Sequence, residues 1–305
     1  MTRQRTKARK AYRALGQGEY HFCTDGLKGA NIFYDVADYA FGMILMGLIS
    51  IRYGLTVYAF TLMPNHIHII LSGTGADCLR AFDYLKRKLS ARLKKTGHAP
   101  LPKDYWFKLE RIESPEQMKH EIIYVLRNAL EKGLTQVMGW LWGSGWIYHS
   151  DICALLRDAP AWKPGKRAFE KMLGGVEKIP ENWYLHKYLG LLPDSFVDTS
   201  MVYELFPEPK DLQTALVKDY EVFFQIASRL GEVVSFSKAE IEGIVAQTLQ
   251  KRFDGRALRM LSDEDRGKLA VILNREFGLT SYQISTSIYL KEKTVRQLLS
   301  SKELR

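Results

Sequence analysis

Two histidines one residue apart, His66 and His68, lie in the run Met63-Pro64-Asn65-His66-Ile67-His68-Ile69-Ile70. On an extended strand, side chains two apart leave the same face, so the imidazoles project together while Ile67, Ile69 and Ile70 pack in or around a core. Neighbouring imidazoles make half of a site for a divalent ion, and equally they occur as packed core histidines; the spacing alone leaves both readings open. Further candidates are scattered. His21, His120 and His149 could assist such a site, with His120 better suited to packing, and Glu110 or Glu113 could lend a carboxylate. The three cysteines, Cys23, Cys78 and Cys153, are far apart, odd in number and free of any C-x-x-C spacing. That pattern excludes a disulfide framework or a cysteine zinc site and predicts reduced core thiols.

The charge is unevenly placed. Of 305 residues with a net charge of +10, residues 1–150 hold 21 Lys and Arg against 12 Asp and Glu, while residues 151–305 hold 23 against 22. The first half is built to meet a polyanion. Six of the first thirteen residues are basic, Arg3, Arg5, Lys7, Arg9, Lys10 and Arg13, and a tail of that kind can follow a phosphate backbone or simply solubilise. With 46% apolar and 26% charged residues the chain should fold, and its length points to two domains. The longest apolar run, Ala40 to Ile51, is shorter than the roughly 20 residues of a membrane span, and no apolar segment with a cleavage site follows the basic start. The expectation is a cytoplasmic protein with no membrane partner.

These residues need elements to hold them. Glu19 to Thr24 reads as a strand, Asp35 to Tyr53 as a buried helix stopped by Gly54, and Leu55–Leu62 and His66–Leu71 as two strands around Pro64. Leu79, Phe82, Leu85, Leu89 and Leu93 recur at spacings of three and four, which predicts a helix over 77–95 with Arg80, Lys86, Arg87, Lys88, Arg92, Lys94 and Lys95 on its other face. Trp106–Ile112 reads as a fourth strand, and Ser114-Pro115-Glu116 opens a helix running to Gly133. The β-α-β-β-α-β-α order predicts an α+β fold with helices on one face of an antiparallel sheet. Residues 151–210 read as a connector packed on the first domain, and 211–305 as a separate all-α domain.

Met-Pro-Asn-His-hydrophobic-His resembles the signature of the HUH single-tyrosine transposases, in particular the REP-associated tyrosine transposases. In that family a helix reading Tyr-hydrophobic-x-x-Asn-Pro carries the nucleophile, followed by Gly-Leu and a W-x-W-S-S segment. Here Ile123-Tyr124-Val125-Leu126-Arg127-Asn128-Ala129 is followed by Gly133-Leu134 and Trp140-Leu141-Trp142-Gly143-Ser144, and Tyr20-His21 is similar to the opening strand. Ala129 stands where the family has proline, and Gly143 interrupts the serine pair. The resemblance covers residues 19–150 and implies a ferredoxin-like nuclease domain. It makes Tyr124 the nucleophile, His66, His68 and Asn128 the ligands of Mg²⁺ or Mn²⁺, and a 5′-phosphotyrosine ester the intermediate. Helical spacing is consistent with this: Tyr124 and Asn128, four apart, share a helix face that can dock over the histidine strand. Three neutral ligands would leave the ion's charge for a phosphate oxygen.

For DNA contact the sequence offers Arg3, Arg5, Arg9 and Lys10 of the tail and Arg80, Lys86, Arg87, Lys88 and Arg92 of the basic helix. Tyr105 and Trp106 could stack on unpaired bases or pack in the core. Residues 280–299 carry helix-turn-helix spacing, with Ile284 and Val295 as inward anchors and Lys293, Thr294 and Arg296 offered to a groove. The expected partners are single-stranded and hairpin DNA, with duplex DNA on the C-terminal domain, for a monomer or a homodimer. Two rival readings are a DNA-binding regulator that no longer transfers strands, and a relaxase or replication-initiator nuclease of the same chemistry.

Overall fold

A computed structural model of the chain describes residues 3–131, 139–158, 180, 183–218, 220–232 and 236–300. It falls into two compact units, Met1–Leu216 and Val217–Arg305. The Gly133-Leu134 pair lies outside the described residues.

The first unit is organised on four antiparallel strands, β1 (Gln17–Thr24), β2 (Thr56–Leu62), β3 (Ile67–Thr74) and β4 (Phe107–Ile112), in the order β2-β3-β1-β4. Helix α1 (Arg3–Ala14) precedes them, α2 (Val36–Tyr53) joins β1 to β2, α3 (Gly75–Lys95) joins β3 to β4, and α4 (Pro115–Glu131) follows. The caps explain these bounds. Asp35 accepts a hydrogen bond from the Asp38 amide at 2.8 Å to start α2, and Gly54, at φ +62°, ends it in the left-handed region that glycine adopts without strain. Thr74 starts α3 in the same way, accepting from the Asp77 amide at 3.2 Å.

Register assigns the two faces of the sheet. Leu62 pairs with Ile67, while Phe22 and Phe60 pair with Ile69. The Phe22 ring lies 6.5 Å from that of Phe82 on α3, and α2 approaches so closely at Gly42 that a Cβ there would sit 2.7 Å from Leu62 Cδ1. That face belongs to α2 and α3. Cys23 and Thr61 pair with His68 on the opposite face, which His21 shares, and α4 packs there against β2 and β3. Helices thus cover both faces, not one as the element order suggested. The reason is α4 itself: Ile122, Val125 and Ala129 are buried, and they remove from water the side that carries His21, His68 and Ile70.

Among the described residues α2 alone is long and apolar enough to cross a membrane, and in the fold Met43 to Ile49 are buried, with α2 packed against α3 and a small hairpin. That hairpin is β5 (Leu185–His186) and β6 (Gly190–Leu191). Around it lie the short helices α5 (Ile152–Asp158) and α6 (Ser200–Leu205), and the Asp198 amide donates to Val57 O at 2.8 Å, so this stretch packs on the sheet unit. Helix α7 (Pro209–Lys218) straddles the division.

The second unit contains α8 (Tyr220–Leu230), α9 (Lys238–Arg252), α10 (Asp263–Phe277), α11 (Ser281–Ile288) and α12 (Glu292–Ser300). Its core is built from Ile244, Leu269, Leu273, Ile284, Ile288 and Val295. Capping boxes at Ser237/Glu240 and Thr280/Gln283 start α9 and α11.

Candidate metal and tyrosine site

Pro64 and Asn65 set the approach to β3. The Pro64 carbonyl accepts from the amides of Ile32 (2.6 Å) and Phe33 (3.1 Å), and Asn65 Nδ2 donates to Leu27 O at 3.1 Å. So anchored, Asn65 presents Oδ1 to His66 Nδ1 at 2.7 Å. His66 stands just before β3 and His68 within it, with ring centroids 4.7 Å apart and nearly perpendicular planes.

His68 is fully buried and belongs to a chain of hydrogen bonds that crosses the sheet. Its Nδ1 lies 3.1 Å from His21 Nε2 on β1, and His21 Nδ1 lies 2.7 Å from Glu121 Oε2 on α4. His21 and Glu121 are both 0% exposed. With Glu121 ionised and both rings neutral, one proton arrangement satisfies the chain: His21 donates from Nδ1 to the carboxylate, and His68 donates from Nδ1 to His21 Nε2. His68 Nε2 then keeps its lone pair. By the same logic Asn65 Oδ1 can only accept, so His66 also carries its proton on Nδ1 and keeps its lone pair on Nε2. In that arrangement both imidazoles are the tautomer a metal ion needs.

Helix α4 supplies the other groups. Glu121, Tyr124 and Asn128 recur at three and four residues, one stripe facing the histidines. Asn128 Nδ2 lies 3.2 Å from His68 Nε2, and the Tyr124 ring lies 5.4 Å from that of His68, edge-on, and 5.8 Å from that of His21. Asn128 Oδ1 is buried and has no hydrogen-bond partner among the described residues. A buried amide oxygen left in this way costs about 1–3 kcal/mol, and a cation beside His68 would satisfy it. Rotating the amide by half a turn places Oδ1 where Nδ2 stands, next to the His68 lone pair. The donor set of two imidazole nitrogens and one amide oxygen therefore suits a divalent ion.

Tyr124 is only 1% exposed, so in this conformation its ring meets the histidines and not solvent. Arg127, on the same helix, is also buried, and neither it nor Glu121 was singled out by sequence reasoning. Their signal was faint: two charged residues inside an apolar helical run. His120 pairs with exposed Glu116 at 3.2 Å, and His149 lies 2.9 Å from Phe206 O, so those pairings take both away from this cluster. Glu113 is exposed beside Arg111, and Glu110 lies opposite His21 in the β1–β4 register.

The Trp-Leu-Trp-Gly-Ser segment lies along β2. Leu62 N donates to Trp142 O at 2.8 Å, Ser144 N to Phe60 O at 3.0 Å, and Trp140 Nε1 to Leu62 O at 3.1 Å. Gly143 is required by this approach, because a Cβ there would lie 2.8 Å from Phe60 O.

The proposed DNA contacts divide. Residues 3–14 form α1, not a free tail, because Tyr12 packs on Phe107 at 5.2 Å and its hydroxyl accepts from Leu109 N. Arg5 reaches the carbonyls of Lys103 and Asp104, and Arg9 pairs with Asp83 at 2.5 Å. The Arg3 side chain lies outside the described residues, and Lys10 is exposed. On α3, Arg80 pairs with Asp77 and Arg92 with Asp38 (2.7 Å). Lys86 donates to the carbonyls of Lys103 and Tyr105, while Arg87 and Lys88 lie over the Tyr84 ring. The basic face is thus partly spent on internal contacts. Tyr105 is buried core, whereas Trp106 stacks on Tyr12 beneath Arg5 and Arg9. On α12, Val295 is buried while Lys293, Thr294 and Arg296 are exposed, with Arg296 paired to Glu292 at 2.7 Å.

Neither a protein-family profile nor a curated protein sequence matches this chain. Among solved structures, that of a REP-associated tyrosine transposase bound to a REP hairpin is similar at 16% identity, over 46% of this chain and 81% of that one, with a TM-score of 0.36.

Proposed function

We propose that this chain is a metal-dependent strand transferase for single-stranded DNA, with Tyr124 as nucleophile and His66, His68 and Asn128 as ligands of Mg²⁺ or Mn²⁺. One observation carries the reading: the His66 and His68 rings lie 4.7 Å apart, each with Nδ1 within hydrogen-bond distance of a held partner, and His68 Nε2 lies beside Asn128 with the Tyr124 ring edge-on to it, which suits Nδ1-protonated tautomers with both Nε2 lone pairs kept for an ion. A packing role needs no such tautomers in both rings. The β-α-β-β-α-β order with β1 and β3 central fits the ferredoxin-like arrangement expected of such an enzyme.

In this reading His66, His68 and Asn128 would hold a divalent ion, which would supply the positive charge that draws electron density from a phosphate oxygen. The Tyr124 phenol loses its proton to water and its oxygen bonds to phosphorus. The bond from phosphorus to the 3′ oxygen breaks, and the leaving oxygen takes up a proton. A 5′-phosphotyrosine ester and a free 3′-hydroxyl result, and attack by a 3′-hydroxyl reverses the step without an energy source. The DNA flanking a hairpin is the proposed substrate, and α11–α12 the proposed duplex-binding element, in a cytoplasmic protein. A phosphate can reach Tyr124 only if its surroundings open, since the residue is 1% exposed.

That burial favours a second reading, a hairpin-binding regulator without strand transfer. Incubation with hairpin-flanked single strands in Mn²⁺ separates the two. The transferase gives a covalent adduct that mass spectrometry places on Tyr124 and that Tyr124→Phe abolishes while binding persists. An adduct on another residue removes Tyr124 from the chemistry, and binding without any adduct leaves the regulator.

A further inference from the structure

On the far side of the sheet from the histidines, α2, α3 and the β5–β6 hairpin line an open cavity of about 720 Å³. Its apolar lining includes Ala37, Ala40, Phe41 and buried Ile44 of α2. Its rim is cationic: Lys88, Arg92 and Lys95 of α3 on one side and Lys187 of the hairpin on the other, beside Tyr188. Arg92 is neutralised by buried Asp38. Lys88, Lys95 and Lys187 have no carboxylate partner among the described residues. The Lys88 ammonium is pushed below its ordinary value by burial and then by Arg52 and Arg87. The Tyr188 ring is 61% exposed with Lys187 Nζ 5.2 Å from its centroid.

We infer that this cavity binds an unpaired segment of single-stranded DNA, with bases against the apolar lining and Tyr188 and phosphates along Lys88, Lys95 and Lys187. The inference rests on the DNA reading above and adds a binding surface separate from the reacting centre. Lys88 and Lys95 are seven residues apart on one helix, about 10.5 Å along its axis. One carboxylate or one phosphate cannot span that row, whereas a strand with a charge on every nucleotide can. A concave lining with an exposed ring offers stacking to bases that a duplex keeps covered, so the strand bound is an unpaired one. The volume lies within the roughly 300–1,000 Å³ of sites that enclose a small ligand, room for a base with its sugar.

The test uses the full chain, a fluorescein-labelled oligothymidylate and anisotropy titrations at several salt concentrations. Lys95→Glu with Lys187→Glu, both exposed, should weaken binding at least about tenfold and flatten the slope of log K against log salt by about 0.7 for each phosphate that is no longer neutralised. Tyr188→Ser should weaken it roughly five- to hundredfold with the slope unchanged, as removal of one stacked base requires. Oligonucleotides carrying 5-iodouracil should crosslink to the cavity, with Tyr188 among the modified residues. Wild-type affinity in all these variants, with crosslinks elsewhere, would overturn the cavity assignment and leave the strand-transfer reading standing. Uptake of a fluorescent fatty acid in preference to the oligonucleotide would overturn it too. A wild-type chain that binds no single-stranded DNA at any salt would instead remove the functional reading on which the inference rests.

Discussion

Replacing Glu121 with glutamine keeps the side chain's length, removes its charge and turns one acceptor oxygen into an NH₂ donor. Glu121 Oε2 lies 2.7 Å from His21 Nδ1, both residues are fully buried, and His21 Nε2 lies 3.1 Å from His68 Nδ1. The glutamine oxygen can still accept from His21, so the tautomers of His21 and His68 should persist while the negative charge behind them disappears. Partners of this kind are worth about 10–100-fold in metal affinity, or roughly 1.4–2.8 kcal/mol. Glu121→Gln should fall at the lower end of that range. Glu121→Leu removes the acceptor altogether, strands the His21 N–H in the core and should fall at the upper end, with a further decrease of about 1–3 kcal/mol in folding stability. Two measurements check this on the same samples. Mn²⁺ titration followed by electron paramagnetic resonance gives the affinity. Nitrogen-15 NMR of the metal-free protein gives the His68 tautomer, with the proton expected on Nδ1 in wild type and Glu121→Gln and redistributed in Glu121→Leu. A wild-type His68 protonated on Nε2, or unchanged Mn²⁺ affinity in Glu121→Leu, would refute the reasoning.

His66→Ala with His68→Ala should remove high-affinity Mn²⁺ binding; a wild-type Mn²⁺ isotherm in the double variant would place any ion elsewhere. Gly143→Ala forces a methyl to within 2.8 Å of Phe60 O and should cost about 1–3 kcal/mol, read as a lower urea midpoint with unchanged slope. An unshifted midpoint would mean that the tryptophan segment does not lie against β2. Burial pushes the thiols of Cys78 and Cys153 up to about 12, helped by Asp77 and Asp194 respectively. Raised values favour the neutral thiol in the fold, so this stabilisation is complete below the ordinary thiol value near roughly 8.5 and is lost as pH rises through about 12. At about pH 8 neither thiol should react with a disulfide reagent until urea is added, and prompt labelling of the native chain would contradict their burial.

Periodicity made most of the sheet unit legible. The stripe Leu79, Phe82, Leu85, Leu89, Leu93 is buried along α3, and the strand expected at His66–Leu71 is β3 shifted by one residue at its start and extended by three. Local charge density misled at the N-terminus, where six cations in thirteen residues outweighed Tyr12, the ring that fastens α1 to Phe107 and Leu109. The expectation of helices on one face came from the element order alone, which does not say on which side the last helix packs. In α4 (Pro115–Glu131), Glu121 and Arg127 stand as charges within an apolar pattern and are buried in the fold. The family resemblance picked out His66, His68, Tyr124 and Asn128 from runs of near neighbours in sequence, and the fold brings His66 close to His68, and His68 close to Tyr124 and Asn128. Glu121 and His21 are 100 residues apart, and no spacing rule joins them; only folding the sheet against α4 does.

That distance bears on what the sheet contributes to the site. A metal ligand on a strand is fixed in translation by its ladder, but its ring can still rotate and exchange protons between nitrogens. Here rotation is stopped from outside the proposed ligand set. Asn65 holds His66 from the preceding turn, and His21 holds His68 from the neighbouring strand. Glu121, which holds His21, sits on the same helix stripe as Tyr124 and Asn128, so an α4 that shifted far enough to admit a phosphate to Tyr124 would also loosen the far end of the chain that orients His68. In the strand-transfer reading, tyrosine access and the order of the proposed metal ligands are therefore coupled through one helix. A variant that destabilises α4 without touching the stripe should expose the tyrosine and weaken Mn²⁺ binding together. Separate movement of the two, tyrosine accessibility rising in fluorescence quenching while Mn²⁺ affinity holds, would show that the site opens by some route other than α4.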